Sequence, residues 1–185
     1  MTIDYETWFT DTASALRENF QEDADLFSRL LAATSPITDM LNNVNLAIKA
    51  YRQLHWTGSI GNGFIEVHRI SINKFLKDGE KFTGGRKVWS LYQNMVGNEQ
   101  VCPIDRWMLR YFGYDGDRHI DNKLYDQLEA RVKALAFKNF TTPARMQARI
   151  WCEMRGFGAT RGFYSYGQII RSKAITRENL LTRLL

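Results

Sequence analysis

The chain has 185 residues, enough for one domain with its own hydrophobic core, and its composition (44% hydrophobic, 24% charged, 3 prolines) is typical of a globular protein. This composition excludes disorder and collagen-like structure, and no apolar run approaches the roughly 20 residues that a transmembrane helix needs. The formal net charge is +5, and two cysteines, Cys102 and Cys152, are too few for a disulfide scaffold or an iron–sulfur cluster.

Apolar residues recur at helical spacing along nearly the whole chain, and strand propensity is sparse, so we expect an all-α fold. The predicted helices cover residues 4–20, 23–33, 36–54, 64–76, 86–96, 103–112, 121–140, 143–154 and 176–185. We expect Ser35 to cap the third helix with Pro36 as its first residue, and Pro103 to begin the sixth. We also expect Thr142 to cap the eighth helix, with Pro143 as its first residue. Residues 156–167 hold four glycines and four aromatic residues and are predicted to form a loop.

The organisation of the chain is simple. It contains no internal repeat and no low-complexity tract, so residues 1–185 are treated as a single domain. The N-terminus lacks the basic flank and apolar stretch of a signal peptide, which favours a cytoplasmic location. His55, His68 and His119 have no metal-ligand spacing with one another or with the cysteines, so no metal site is predicted.

The charges are distributed unevenly. Residues 1–28 hold seven acidic residues and one basic residue, whereas residues 141–185 hold eight basic residues and two acidic ones. A basic segment with interleaved aromatic residues is suited to contact with a phosphate backbone, and a solubilising surface is the alternative interpretation.

One stretch combines a glycine turn with a lysine and an aspartate at the starts of two successive predicted helices. The turn consists of Thr83, Gly84, Gly85 and Arg86. Lys87 follows it in the first helical turn, and Asp105 lies eighteen residues later. Backbone N–H groups at such a turn suit an anion such as a DNA phosphate.

The lysine and the aspartate together form a chemically sensible pair. A lysine in a partly dry cleft can lose its proton and attack an electrophilic carbon. A nearby carboxylate can take up a proton or stabilise a developing positive charge. Because cleavage of an N-glycosidic bond passes through a cationic transition state at the sugar, one amine and one carboxylate are sufficient for that reaction.

The segment KVWSLYQNMVGNEQVCPIDRWMLRYFG, within residues 82–113, resembles the helix–hairpin–helix DNA glycosylases. This is the superfamily of endonuclease III and the 8-oxoguanine DNA glycosylases, and the segment matches closely the short prokaryotic 8-oxoguanine type, with phage-encoded relatives. Asn94 and Gly97 also fit that type. A weaker resemblance covers LLAATSPITDMLNNVNLAIKAY, where Thr34 and Ser35 occupy a junction that faces the minor groove in the family.

The resemblance implies an all-α fold with two helical lobes on either side of a cleft, working as a monomer on double-stranded DNA without a cofactor. It implies Lys87 as the Schiff-base nucleophile and Asp105 as the general base or charge-stabilising residue. Trp107, two residues beyond Asp105, is the candidate to stack on a flipped base. The candidate DNA contacts are Thr83, Gly84, Gly85, Arg86, Thr34, Ser35, Arg106 and Arg161.

We therefore expect a DNA glycosylase with an associated lyase activity that excises a damaged or modified base, with 8-oxoguanine as one candidate. Two alternatives stay open at this point. The first is a phage-type enzyme of the same fold that hypermodifies a thymine and leaves the glycosidic bond intact. The second is a helix–hairpin–helix module that binds DNA without catalysis, in which the Lys87–Asp105 pairing has no chemical role.

Overall fold

The computed structural model of the protein describes residues 5–78, 85–155 and 165–182. Every regular element in these ranges is helical, and they contain no strand, which confirms the predicted all-α class. The helices are α1 Trp8–Phe20, α2 Ala24–Ala33, α3 Met40–Thr57, α4 Glu66–Asp78, α5 Arg86–Met95, α6 Arg106–Tyr111, α7 Asn122–Lys138, α8 Pro143–Met154, α9 Tyr166–Ser172 and α10 Arg177–Leu181. A short 3₁₀ turn at Gln21–Asp23 joins α1 to α2.

Side-chain caps fix where several of these helices begin. The hydroxyl of Thr142 accepts a hydrogen bond from the N–H of Arg145, and Pro143 is the first residue of α8, both as predicted. Asp121 caps α7 through the N–H of Leu124 at 2.7 Å. Such caps satisfy backbone N–H groups that have no partner within the helix.

A large hydrophobic cluster joins helices α1 to α5 with α8, α9 and α10. At its centre the rings of Phe20 and Phe27 stack with 3.9 Å between centroids, and Tyr51 meets both rings edge-on at 5.7 Å. All three side chains are fully buried. Burial of such large apolar side chains is the main favourable contribution to folding.

A smaller hydrophobic cluster joins α6, α7 and α8 with the segment that leads into α6. Its fully buried members include Ile104, Met108, Leu128 and Val132. Trp151 of α8 packs against both clusters, so this tryptophan lies at the boundary between them.

Helix α3 begins four residues later than predicted, at Met40, and the expectation of a Ser35 cap with Pro36 as the first helical residue is wrong. Ile37 has a left-handed φ of 61°, which interrupts any helix through the turn. The carbonyls of this turn are bonded by side chains: the carbonyl of Pro36 contacts Nε2 of His68 at 2.8 Å. Asp39 caps the helix instead, since its carboxylate accepts from the N–H of Asn42 at 2.9 Å.

Helix α6 begins at Arg106, so the prediction of a helix from Pro103 is also wrong. The hydroxyl of Tyr125 accepts a hydrogen bond from the N–H of Ile104 at 3.2 Å and lies 3.1 Å from the carbonyl of Cys102. These bonds hold the proline segment outside the helix, and Asp105 then caps α6.

The predicted loop at 156–167 is wrong at its end, where Tyr166 and Gly167 begin a seven-residue helix that Ser165 caps; residues 156–164 lie outside the described residues. Ser165 and Gln168 form a reciprocal capping box at the start of α9. Gly167 is needed for packing, because a Cβ there would lie 2.8 Å from the backbone oxygen of Asp11 in α1. The glycine therefore allows α1 and α9 to approach each other closely.

Candidate functional site

A cleft of about 890 Å³ is lined by members of both hydrophobic clusters. Volumes of this size are typical of sites for small molecules and nucleotides. Four parts of the chain form most of the lining: the start of α1, the turn between α2 and α3, the start of α5, and the segment that enters α6. Helix α8 supplies another wall, and residues between α6 and α7, the start of α7 and Tyr166 of α9 complete the lining.

Lys87 lines this cleft from the first turn of α5. Gly85 precedes the helix with a φ of 124°, a conformation that residues with a side chain rarely adopt. Lys87 is half-buried by surface area because the cleft is open to solvent, and its amine nevertheless lies deep among protein atoms. That burial lowers the pKa of Lys87 below its ordinary value.

Two charged neighbours shift the pKa of Lys87 in opposite directions. The carboxylate of Asp105 raises the pKa of Lys87, and the guanidinium of Arg106 lowers it. The pair of Lys87 and Asp105 interacts through space, since no direct ion pair joins these two described residues. An amine with a lowered pKa is neutral and nucleophilic in a larger fraction of molecules at neutral pH.

Asp105 is the N-cap of α6 and also lines the cleft. Its Oδ1 accepts hydrogen bonds from the N–H groups of Trp107 at 2.9 Å and Met108 at 3.2 Å. Both bonds use Oδ1. The other carboxylate oxygen, Oδ2, has no hydrogen bond to another described residue. The cap thus fixes the carboxylate on a rigid element while one oxygen stays available.

Tyr125 of α7 holds the two halves of this arrangement together. Its hydroxyl lies 3.1 Å from Oγ of Ser90, which is one turn after Lys87 on α5, and it accepts from the N–H of Ile104 next to Asp105. Burial raises the pKa of Tyr125 to about 12, so the phenol stays protonated. The Tyr125 hydroxyl therefore ties the helix of the amine to the segment of the carboxylate.

Trp107 lines the cleft two residues beyond Asp105. The guanidinium of Arg110 lies 4.7 Å from the Trp107 ring centroid, and that of Arg155 lies 5.8 Å from it. Arg155 also lies 4.5 Å from the ring of Trp151 and lines the cleft. The aromatic wall of the cleft is thus accompanied by cationic groups.

The other predicted site residues have different surroundings. Arg106 is exposed and lines the cleft, whereas the guanidinium of Arg86 pairs with Asp126 at 2.6 Å and Glu129 at 3.2 Å on α7. Arg86 therefore braces α5 against α7 while it lines the cleft. Thr83, Gly84 and Arg161 lie outside the described residues.

Thr34 and Ser35 are adjacent in the chain but differ in their environment. Thr34 is fully buried, and its hydroxyl bonds to the carbonyl of Leu30 at 2.7 Å and to Oδ1 of Asn43 at 2.6 Å. Ser35 lines the cleft, and its buried Oγ has no hydrogen-bond partner among the described residues. Thr34 thus braces the α2–α3 turn, and Ser35 is the member of the pair that faces the cleft.

The cleft also contains residues that the sequence analysis did not select. They include Trp8 and Phe9 of α1, Ile37 of the α2–α3 turn, Gln147 and Trp151 of α8, and Arg155. The sequence contains one signal for Gln147. This glutamine lies three residues after Ala144 and four before Trp151, so a polar residue interrupts the buried face of a helix. That Trp8 and Ile37 line the cleft follows only from the tertiary fold.

The basic C-terminal segment, expected as a phosphate-binding surface, is largely paired with acidic residues. Arg171 pairs with Asp11 and Glu18, and Arg177 pairs with Glu22 and Asp23. The partners of these two arginines belong to the acidic N-terminal segment.

The chain belongs to a recognised class of proteins by its sequence. The model described as "Family of unknown function (DUF7178)" matches residues 5–157, most of the chain, so the protein belongs to that family. Comparisons with curated proteins and with solved structures found no match.

Two further observations concern the described part of the chain. None of its helices combines the length and apolar character needed to cross a lipid bilayer. Within the same residues, no group of three or more histidine, cysteine, aspartate or glutamate side chains is arranged to hold a metal ion.

Proposed function

We propose that this protein is a DNA glycosylase of the helix–hairpin–helix type with an associated lyase activity, acting on a damaged or modified base in duplex DNA. The observation that carries the proposal is the cleft in which Lys87, with its lowered pKa, lies near the capping carboxylate of Asp105. The fold type, the single domain and the reaction form one proposal. It gives Lys87 and Asp105, which lie in the same cleft, a chemical role each.

In the proposed reaction the neutral Nζ of Lys87 attacks C1′ of the sugar. The C1′–N bond breaks, and the base leaves with the bonding electrons and takes up a proton. The carboxylate of Asp105 stabilises the positive charge that develops on the sugar and assists the proton transfer. Loss of the amine proton and opening of the sugar ring then give a Schiff base between Lys87 and C1′.

The lyase step follows from the Schiff base. A proton is lost from C2′, the C3′–O bond breaks, and the strand is cleaved on the 3′ side. Hydrolysis of the Schiff base restores the amine. Every step is a proton transfer, a substitution, an elimination or a hydrolysis, so no oxidant or reductant is required.

The shape of the cleft supports a substrate base that has left the duplex stack. Enzymes that act on a base inside a duplex extrude the nucleotide into a pocket and hold it by stacking and hydrogen bonds. The cleft offers Trp107 and Trp151 for stacking and the cationic side chain of Arg106 near the sugar–phosphate backbone. Phosphate contacts of this kind predict an affinity that falls steeply with salt.

Borohydride trapping tests the proposal, because reduction of the Schiff base links protein and DNA covalently. Duplexes with an abasic site, 8-oxoguanine, oxidised pyrimidines, uracil or hypermodified thymine are incubated with wild-type protein, Lys87→Gln and Lys123→Gln. Lys123 is an exposed lysine in the first turn of α7, so it controls for the loss of a positive charge. We expect adducts with the wild type and Lys123→Gln, and none with Lys87→Gln.

Two results would contradict the proposal. DNA binding without an adduct on any duplex would overturn the lysine mechanism and leave a binding module or a base-modifying enzyme. An adduct that persists in a folded Lys87→Gln variant would assign the nucleophile to another amine. Release of free base from the trapped duplex separates excision from modification, since a modifying enzyme leaves the glycosidic bond intact.

A further inference from the structure

Helix α7 ends beside two phenylalanines that face solvent. Phe137 is 85% exposed and Phe140 is 99% exposed, more than any other large apolar residue in the described part of the chain. Neither ring packs against the two hydrophobic clusters. Because a phenylalanine stabilises a fold by its burial, rings left in water contribute little to folding.

Phe140 also has an unfavourable backbone conformation. Its φ of 53° lies in the left-handed region, and the N–H of the next residue, Thr141, donates to the carbonyl of Ala136 at 3.0 Å. Glycine is the usual residue at this position after a helix, because a side chain is strained there. Phe140 therefore combines backbone strain with an unburied ring, and nothing within the described chain compensates for either. Scattered exposed apolar residues are common, but this combination indicates a contact outside the chain.

Basic side chains flank the two rings. Lys133 and Lys138 are exposed residues in the second half of α7. Lys138 forms no ion pair with another described residue, and Lys133 lies 3.5 Å from Glu129. The sequence has no acidic residue from 130 to 152. We call the group of Lys133, Phe137, Lys138 and Phe140 the α7 terminal surface.

The carboxylate of Glu6 reaches the edge of this surface from the N-terminal part of the chain. It accepts a hydrogen bond from the Thr141 hydroxyl at 3.4 Å, and the guanidinium of Arg145 lies 3.7 Å from the same oxygen. Because Arg145 compensates this negative charge, the α7 terminal surface stays cationic.

The α7 terminal surface is remote from the cleft. Asn122 and Tyr125 line the cleft at the start of α7. Phe137 follows Tyr125 by twelve residues, which places it about 18 Å farther along the helix axis. The proposed glycosylase reaction uses none of these four side chains, so it does not explain their exposure.

We propose that the α7 terminal surface docks on an anionic lipid bilayer. The rings of Phe137 and Phe140 enter the headgroup region, and the ammonium groups of Lys133 and Lys138 contact lipid phosphates. Binding of this kind strengthens with the apolar area that is buried and with the negative charge of the lipid. Because only two rings are inserted, the contact is reversible and lies on one side of the bilayer.

The shape of the surface favours a bilayer over other occupants. Bound peptides and single-stranded nucleic acids commonly lie in grooves, whereas two nearly fully exposed residues protrude and line no groove. A second copy of the chain would bring its own lysines against these lysines. Two phenylalanines, which bury about 150–250 Å² each, also fall short of the roughly 800 Å² per partner in a stable protein interface.

Co-sedimentation with lipid vesicles tests the proposal. The full chain, without DNA, is mixed with vesicles of phosphatidylcholine alone or of phosphatidylcholine and phosphatidylglycerol in about equal parts, the second being negatively charged. The variants are Phe137→Ser with Phe140→Ser, Phe140→Gly, and Lys138→Gln. Ile70→Ser, at a 46% exposed position of α4, is the matched control for the lost apolar side chains. Lys123→Gln, at an exposed position in the first turn of α7, is the control for the lost charge.

We expect the wild type to sediment with the negatively charged vesicles far more than with the neutral ones, and to be released as the salt concentration rises. Binding by the double phenylalanine variant should be weaker by about tenfold or more. Lys138→Gln should weaken binding by about threefold to fivefold. Both control variants should stay within about twofold of wild type.

Phe140→Gly separates docking from folding. Glycine adopts the left-handed conformation without strain, so the urea midpoint of this variant should be at least as high as that of wild type. Its binding to negatively charged vesicles should nevertheless be weaker by about fivefold or more, because one ring is lost. A lower urea midpoint with unchanged vesicle binding would give the Phe140 ring a structural role and overturn the proposal.

Other outcomes also contradict lipid docking. Equal sedimentation of wild type and the double phenylalanine variant would assign lipid binding to another surface, and an equal loss with Ile70→Ser would show that the binding is not specific to α7. A wild type that binds no vesicles excludes a bilayer as the occupant. In that case, dimers in light scattering that are lost in the double variant would assign the surface to a second copy. Binding of a thymidine oligonucleotide that needs both rings would assign it to a single strand.

The result is independent of the proposed reaction. Lys87→Gln changes the cleft and leaves the α7 terminal surface intact, so this variant should bind vesicles as the wild type does. Failure of Schiff-base trapping would therefore leave the vesicle result unchanged. A loss of vesicle binding in Lys87→Gln would contradict the assignment of docking to the end of α7.

Discussion

The pKa of Lys87 depends on the surroundings in which α5 places its side chain. Its burial lowers the pKa, the Asp105 carboxylate raises it, and the Arg106 guanidinium lowers it. Because the net shift is downward, burial together with Arg106 outweighs the attraction of the carboxylate. A lysine in solution would keep its proton at neutral pH, since its pKa there is about 10.4.

The rate of adduct formation at an abasic site should therefore rise with pH and then level off. The midpoint pH of this rise should be lower than the pKa of an ordinary lysine. Asp105→Asn removes the charge that favours the ammonium, so its midpoint should move to lower pH. Arg106→Gln removes the charge that disfavours the ammonium, so its midpoint should move to higher pH. Single-turnover trapping from pH 6 to pH 10 at saturating protein measures all three profiles. Identical midpoints in the three proteins would contradict the electrostatic origin of the shift.

Among the helices, α6 is short and depends on its cap. Asp105 supplies both hydrogen bonds that close its first turn, and the same side chain is the proposed charge-stabilising group. The two roles need different properties of the side chain. The cap needs an oxygen acceptor, whereas charge stabilisation needs the negative charge.

Substitutions of Asp105 can separate these roles. Asp105→Asn keeps an acceptor oxygen, so we expect nearly wild-type stability and trapping slower by about a hundredfold or more. Asp105→Ala should lose the cap as well, with a decrease of about 1 kcal/mol in the free energy of unfolding. Urea unfolding and trapping rates measure the two effects.

The cap of α7 serves as the control for Asp105. Asp121→Ala removes an equivalent cap bond, to the N–H of Leu124, from an exposed residue. It should cost similar stability and leave trapping unchanged. Equal trapping by Asp105→Asn and wild type would remove Asp105 from the proposed chemistry.

The helices that could be predicted from sequence are those with a regular apolar face and a local start signal. Helix α8 begins at Thr142-Pro143 as expected, and the helix predicted over residues 64–76 is present as α4. The predicted starts of α3 and α6 are wrong because each segment contains both a proline and an aspartate as possible start signals, and the aspartate begins the helix. Asp39 and Asp105 succeed as caps since tertiary bonds from His68 and Tyr125 hold the proline segments outside the helices.

Helix α9 and Gln147 were missed for a different physical reason. The sequence around Gly167 favours a loop, whereas the small size of this glycine serves the contact with Asp11, 156 residues away in the chain. Gln147 differs from an ordinary helix-surface residue only by its burial in the cleft. Lys87 and Asp105 could be selected from sequence because both lie at helix starts with a fixed spacing. Whether a polar side chain has a partner depends on contacts that the sequence does not display.

At the scale of the whole molecule, the uneven charge distribution has a structural consequence. The acidic N-terminal segment and the basic C-terminal segment lie against each other, and Arg171 and Arg177 form their ion pairs across this contact. Ser165 of the C-terminal part also donates to Asp11 at 2.8 Å. Attraction between the two ends of the chain thus helps to seat α9 and α10 on the large hydrophobic cluster.

Asp23 is the most connected acid of this contact. Its Oδ2 accepts hydrogen bonds from the Tyr51 hydroxyl at 2.6 Å and from Nε of Arg177 at 2.8 Å. Burial by itself raises the pKa of Asp23, but the hydrogen bonds from Tyr51 and Arg177, together with the charges of His55 and Arg177, outweigh burial, and the net pKa is lowered. A carboxylate whose pKa is lower in the folded than in the unfolded protein stabilises the fold above its unfolded pKa. This stabilisation is lost as the pH falls through the folded pKa.

Asp23→Asn should therefore decrease the free energy of unfolding at pH 7 by about 1 kcal/mol, a modest value because solvent screens this partly exposed site. The difference from wild type should shrink as the pH falls below about 4, where the carboxyl of the unfolded protein becomes protonated. Urea unfolding at pH 7, 5 and 3 measures this difference. Glu178→Gln, at an exposed position of α10 next to Arg177, is the control and should show little change. A constant difference between wild type and Asp23→Asn from pH 7 to pH 3 would mean that the charge of Asp23 does not hold the two ends together.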